Sequence, residues 1–431
     1  MSSILIKRAK VLFGDKFLIK DILISNSILK KIENNINDYA DKVIDAENLL
    51  LLPGLIDIHV HLRQPGYEYK ETIQTGSLAA SKGGYTTICA MPNTNPAMDS
   101  LEKVLKFQKN AKLDSKINVL TYSSITKERK TNSPLVDFEK LAKHVFAFSN
   151  DGNGIQSREL MKQAMMQAKK VNKAIVAHCE DDELVNGGCI HECEFAKKNN
   201  LKAICSASEY EQVRRDIELA KETGCQYHVC HVSTKEAVEF VREAKKEKNK
   251  ISCETTPHHL LLNDTNLKND GCYKMNPPIR SKQDQNELIN GIKDGTIEII
   301  ATDHAPHSHE EKSKGLKDSM FGIVGIEFAF SLLYTNLVKT GIISIKKLID
   351  LMSNNPNHIF NMNQLYLEVG CKPNFILVDE NLKQQIDSKE FLSKGKSTPF
   401  DKQWCYGWPV LNICNGKIAY EKLRDKNESS N

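Results

Sequence analysis

The sequence predicts an α/β protein: a (β/α)₈ barrel of TIM type, with a small β domain assembled from both chain termini. Three observations lead there. Between about residue 55 and residue 355, short apolar runs alternate with amphipathic helical stretches, the pattern of βα units on a parallel sheet. Both ends instead hold short strand-like segments and no convincing long helix. No Gly-rich phosphate loop follows the first strand, and units repeated over roughly 250–300 residues suit a closed barrel better than an open sheet.

The elements follow in order. Leu55–Leu62 reads as the first strand, Thr72–Lys82 as a helix and Tyr85–Met91 as the second strand. Helical Leu101–Ala111 precedes the strand Ile117–Ser123, and Val145–Ser149 is the next strand-like run. Apolar residues at helical spacing over Ser157–Val171 lead into the strand Ala174–His178. Glu211–Thr223 leads likewise into Tyr227–Val232, Thr234–Lys246 into Ile251–Thr256, and Asp284–Lys293 into Ile297–Asp303. At the ends, Ile4–Ile6, Phe17–Ile24, Leu49–Leu52 and residues 375–379 and 410–421 are strand-like, and Asn415-Gly416 is a hairpin signal. The expected division is residues 1–54 and 360–431 for the β domain and 55–359 for the barrel.

The bulk properties exclude several classes. The 59 basic and 55 acidic residues give a net charge of +4, too balanced for a nucleic-acid footprint. Lys7, Arg8, Lys10, Asp15 and Lys16 break every early apolar run before it reaches signal-peptide length. No stretch approaches the roughly 18 uncharged apolar residues of a membrane helix, so a cytoplasmic location is expected. Twelve cysteines in 431 residues do not make a disulfide scaffold; Cys89, Cys179, Cys230 and Cys253 lie in apolar runs and read as small buried hydrophobes.

The chemistry shows in where histidines and aspartates fall. His59 and His61 alternate along the first strand, so both imidazoles share one face and can grip one metal. Asp151 follows Val145–Ser149, His178 ends the next strand, His231 the one after, and Asp303 closes Ile297–Thr302. All six sit at strand C-terminal ends, where a barrel keeps its active site. A single histidine at a strand end is ordinarily a core residue; six such groups in series are a ligand set. Four imidazoles and two carboxylates suit Zn²⁺ and are too many for one tetrahedral ion, but fit two ions ~3.5–4 Å apart.

The run from Pro53 to Gly66, with His59-Val60-His61 and Leu62-Arg63-Gln64-Pro65-Gly66, resembles the opening motif of the amidohydrolase superfamily, its ending being similar to that of dihydroorotases. Ala301-Thr302-Asp303-His304-Ala305-Pro306-His307 resembles the dihydroorotase motif that carries the catalytic aspartate. Met91-Pro92-Asn93-Thr94, His178-Cys179-Glu180-Asp181, Cys230-His231-Val232-Ser233-Thr234, Met275 to Arg280 and Lys394 to Phe400 also fit, so the likeness spans nearly the whole chain. It is nearest the long, class I bacterial type.

The resemblance implies a zinc-dependent, reversible cyclisation of N-carbamoyl-L-aspartate to L-dihydroorotate in de novo pyrimidine (UMP) biosynthesis. His59, His61 and Asp303 would hold one Zn²⁺, His178 and His231 a second, with Asp151 and a hydroxide as bridges. Asp303 would be the catalytic acid and base. Substrate contacts would come from His61, Arg63, Asn93, Asn276, His307 and the backbone of Phe321 and Gly322. Many relatives bridge their metals with a carboxylated lysine, but Lys143 precedes its strand, at the wrong end of the barrel, so aspartate is expected instead. His304, His258 and His259 read as supporting histidines, and His307–Met320 as a lid over the mouth. Other readings are a hydantoinase- or allantoinase-like cyclic amidohydrolase, or a non-catalytic partner subunit of aspartate carbamoyltransferase. The resemblance leaves open a homodimer and an association of the active enzyme with that transferase.

Overall fold

The computed structural model describes residues 3–247 and 249–422. Eight parallel segments close a barrel: Leu55–Val60, Tyr85–Ala90, Asn118–Thr121, a bridge at Phe148, Ile175–Ala177, Tyr227–Val229, Ile251–Thr255 and Ile299–Ile300. The last meets the first where Val60 bridges His304 and the His61 N–H donates to the His304 carbonyl at 2.9 Å. Alternation along the strands turns Ile56, Ile58, Cys89, Tyr122, Val176 and Cys230 into one buried interior layer. All twelve cysteines are free.

Most of the expected barrel strands are shorter than the sequence suggests, Ile117–Ser123, Ala174–His178 and Tyr227–Val232 shrinking to Asn118–Thr121, Ile175–Ala177 and Tyr227–Val229, and two more so. Val145–Ser149 pairs in register only at Phe148, which bridges Ser123 and Ile175, although Phe146 and Ser149 also donate to Thr121 and Ser123 on one side and Phe148 donates to Ala174 on the other. Ile297–Asp303 pairs in register only at Ile299–Ile300, and at its end Asp303 leaves the extended conformation with a φ of 47°. The helices match more closely. Thr72, Ser157 and Thr234 are N-caps, each accepting a backbone N–H of the first turn, so the helices proper are Ile73–Lys82, Arg158–Lys170 and Lys235–Lys246.

A second sheet joins the termini. Its order is Lys417–Glu421, Trp408–Cys414, Phe375–Asp379, Leu50–Pro53, Ser3–Phe13, Lys16–Ser25 and Ile28–Glu33, with Lys42–Asp45 also beside Ser3–Phe13. Leu50–Pro53 runs antiparallel to Phe375–Asp379, the seam between the two chain ends. Asn415 and Gly416 both have positive φ, 50° and 71°, as a tight two-residue hairpin requires. Residues 423–431 of the expected β domain lie outside the described residues.

The segment expected as a lid is two short helices, His309–Lys312 and Gly315–Asp318, the first capped by Ser308. The buried Lys312 amino group pins it, donating to the Lys274 carbonyl at 3.0 Å and the Met320 carbonyl at 2.7 Å. Among the described residues, no helix is long and apolar enough to cross a membrane.

Candidate active site and metal centre

The six expected ligands converge at the mouth of the barrel, all buried. Asp151 stands between them. Its Oδ1 lies 3.2 Å from His59 Nε2, 3.7 Å from His231 Nε2 and 3.9 Å from His178 Nδ1, and its Oδ2 lies 3.6 Å from His61 Nε2. Ligand atoms of His59, His61 and Asp151 fall within 4.8 Å of one another, and so do those of Asp151, His178 and His231. One carboxylate is thus common to two groups. Asp303 Oδ1 lies 2.9 Å from His61 Nε2 and 3.6 Å from His59 Nε2, on the His59–His61 side.

These residues fit a metal on their own evidence. His59 Nε2 and Asp151 Oδ1 are buried without a hydrogen-bond partner. Leaving such an atom unsatisfied costs about 1–3 kcal/mol, and a cation between the two would satisfy both. Burial acts to raise the Asp151 and Asp303 carboxyls, but the facing imidazoles overcome it and hold both below the ordinary carboxylate range. Both therefore remain anionic donors.

Local backbone aims these side chains. Arg63, His231 and Asp303 all have positive φ, 60°, 29° and 47°, a conformation non-glycine residues adopt at a cost and one that clusters at functional sites. Asp57 helps to hold two of them. Its buried carboxylate accepts from the His59 N–H at 3.0 Å, the Thr302 N–H at 3.2 Å and the Thr302 hydroxyl, tying the His59 strand to the turn that carries Asp303. Lys143 is exposed at the opposite end of the barrel, beside Asn118 and Lys173.

A cavity of about 240 Å³ opens over the ligands, lined by His61, Arg63, Asn93, Asp151, His178, His231, Asn276, Asp303, His307, Phe321 and Gly322 among others. The Arg63 guanidinium donates to the Pro306 carbonyl at 3.1 Å and sits 3.2 Å from His307 Nε2. Among the described residues no carboxylate lies within 4.0 Å of it. Burial, reinforced by Arg63, Lys70 and Lys312, pushes the His307 imidazole well down, so it is neutral at pH 7. Its Nε2–H donates to the Phe321 carbonyl at 2.8 Å, and its Nδ1 accepts from Lys70 at 3.2 Å.

The two asparagines differ. Asn93 is engaged with the ligands, its Oδ1 2.9 Å from His61 Nδ1 and its Nδ2 donating to Asp151 Oδ2 at 3.2 Å. Asn276 donates to Glu180, while its Oδ1 is buried without a hydrogen-bond partner. The Gly322 N–H already donates to the Lys274 carbonyl, and its φ of 130° is one that favours glycine. Of the supporting histidines, His304 contacts Glu71 at 3.4 Å and His259 contacts the Pro277 carbonyl at 3.0 Å.

Sequence reasoning gave no role to Arg129, Glu180 or Glu254. Arg129 lines the cavity and donates to the Asp151 carbonyl at 2.5 Å. Glu180 lies 3.6 Å from His178 Nε2, and Glu254 lies 2.6 Å from His59 Nδ1. A carboxylate inside a barrel strand, as Glu254 is in Ile251–Thr255, was the signal available.

Known proteins share this fold. Among solved structures, an L-hydantoinase (dihydropyrimidinase) from Arthrobacter aurescens superposes with a TM-score of 0.87 at 25% identity, covering 98% of this chain and 97% of its own. A dihydropyrimidinase from Brevibacillus agri gives 0.85 at 21% identity, covering 97% and 95%. The fold and the site define a barrel hydrolase of the amidohydrolase superfamily, acting on cyclic amide C–N bonds. A dihydro-orotase-like family model matches residues 48–237. A dihydroorotase from Bacillus cytotoxicus is 48% identical over 404 residues, covering 93% of this chain and 94% of that protein, and one from Bacillus cereus is 47% identical over 409 residues. The chain belongs to the dihydroorotase family.

Proposed function

We propose that the chain closes N-carbamoyl-L-aspartate to L-dihydroorotate with loss of water, and reopens the ring, as a cytoplasmic step of de novo pyrimidine biosynthesis. The observation that carries the choice of substrate is Arg63. A cavity guanidinium without a carboxylate partner, beside a neutral His307, suits a substrate bearing a carboxylate. Hydantoin and allantoin carry none.

His59, His61 and Asp303 would hold one Zn²⁺ and His178 and His231 another, with Asp151 shared between them. When bound, the two ions would polarise the ring carbonyl and lower the pKa of the water between them toward neutrality. Asp303 would move the proton. In ring opening, the water oxygen bonds to the amide carbon, Asp303 takes the proton it sheds, and the C–N bond breaks. The same carboxyl then protonates the departing nitrogen; in ring closure the steps reverse. Asn276, in the cavity lining, would contact the ring amide.

The test is a substrate panel. Dihydroorotate and carbamoyl-aspartate are expected to turn over, and hydantoin and allantoin to be refused. Preference for the uncharged rings would refute the assignment. Arg63→Met is expected to lower kcat/KM for dihydroorotate by about 30-fold or more, the worth of a charged hydrogen-bonded pair in a desolvated site, read in steady-state kinetics. An unchanged value would remove Arg63 from the carboxylate site.

A further inference from the structure

Beneath the ligands lies a buried polar column that the reaction does not use. Glu254 and Ser252 share one face of the strand Ile251–Thr255, and His228, on the neighbouring strand Tyr227–Val229, pairs in register with Ser252. Glu254 Oε1 lies 2.6 Å from His59 Nδ1, and Glu254 Oε2 lies 3.2 Å from His228 Nε2. His228 Nδ1 lies 2.7 Å from the Ser252 hydroxyl. Glu254, His59 and His228 are fully buried. The same Oε1 also accepts the His231 backbone N–H, at 3.4 Å.

We propose that Glu254 is a positioning residue for the metal centre, fixing one ligand of each group. A carboxylate only accepts, so the nitrogen of His59 that faces it carries the hydrogen. The other nitrogen, Nε2, then presents its lone pair to Asp151, the direction in which it has no hydrogen-bond partner. With no acceptor at Nδ1, the imidazole is free to take the other tautomer, which places a hydrogen where a metal needs a lone pair. The bond to the His231 N–H steadies a ligand whose φ of 29° is otherwise unfavourable. His228, backed by Ser252, keeps the Glu254 carboxylate from rotating out of this double role. The inference rests on the metal reading given above but on no choice of substrate.

The test compares Glu254→Leu, Glu254→Gln and His228→Gln in the full chain, stripped of metal. Zn²⁺ affinity is read by competition with a chromophoric chelator, and ligand geometry by the visible spectrum of the Co²⁺ protein. Glu254→Leu is expected to weaken binding of at least one ion by about 10–100-fold and to alter the cobalt bands. Glu254→Gln, which keeps an oxygen to accept from His59, is expected to lose less. Should Glu254→Leu fail to fold by circular dichroism, His228→Gln reads the same column, with a several-fold loss expected. Parent-like affinity and spectrum in a folded Glu254→Leu would overturn the proposal. A thiolate charge-transfer band that disappears with Glu254→Leu would also overturn it, because Cys230 and Glu254 would then be ligands with His59. These readouts need no substrate, so the proposal can fail while the parent still turns over dihydroorotate, or survive if it does not.

Discussion

Asp303→Asn is expected to keep metal at least in part and to lose about 10²–10⁴-fold in kcat. The amide retains an oxygen for the ion beside His59 and His61, and nearly the same volume in a site where Asp303 is 7% exposed. What it cannot do is accept a proton from the attacking water or return one to the leaving nitrogen. Its position depends on the Asp57–Thr302 bonds, which the substitution leaves alone. Steady-state kinetics with metal content on the same sample checks this. Near-normal turnover with metal in place would rule out Asp303 as the proton carrier.

Asp151→Ala is expected to do more damage, because that carboxylate is common to both ligand groups. Its removal leaves His59 and His61 with Asp303 on one side and only His178 and His231 on the other. Metal affinity should therefore fall by more than the ~10–100-fold that a supporting partner is worth, and turnover should fall with it. The variant should still fold, since Asp151 lies at the mouth rather than in the apolar barrel layer. Calorimetric metal titration and turnover measured together decide it. Retention of two ions and of activity would mean that another group bridges them.

That these six side chains come together was legible in the sequence because strand geometry is periodic. His59 and His61 announce a shared face two residues apart, and Asp151, His178, His231 and Asp303 each follow a run of β-formers. The helix starts at Thr72, Ser157 and Thr234 were legible to within one residue, as capping chemistry is local. The Asn415-Gly416 turn was legible for the same reason.

What the sequence hid depends on contacts between distant segments. The strand ending in Ser149 pairs in register only at Phe148, a property of its two neighbouring strands that no local pattern records. The polar, charged stretch after His307 reads as loose, yet burial of Lys312 against two carbonyls turns it into ordered helices. Glu254 reads as one acidic residue in a strand until the barrel closes and sets it against His59, 195 positions away. Asp57 was in view inside the Pro53–Gly66 motif, but its grip on Thr302 exists only once the first and last strands meet.

The most direct test of the central account, that these six residues hold the ions over which dihydroorotate is opened, is a zinc titration of the metal-free chain with turnover read at each step. The account predicts no dihydroorotate hydrolysis without metal and a rise that reaches its plateau at about two equivalents of Zn²⁺. Full turnover in protein shown to be metal-free, or zinc bound at two equivalents with no hydrolysis of dihydroorotate, would contradict it.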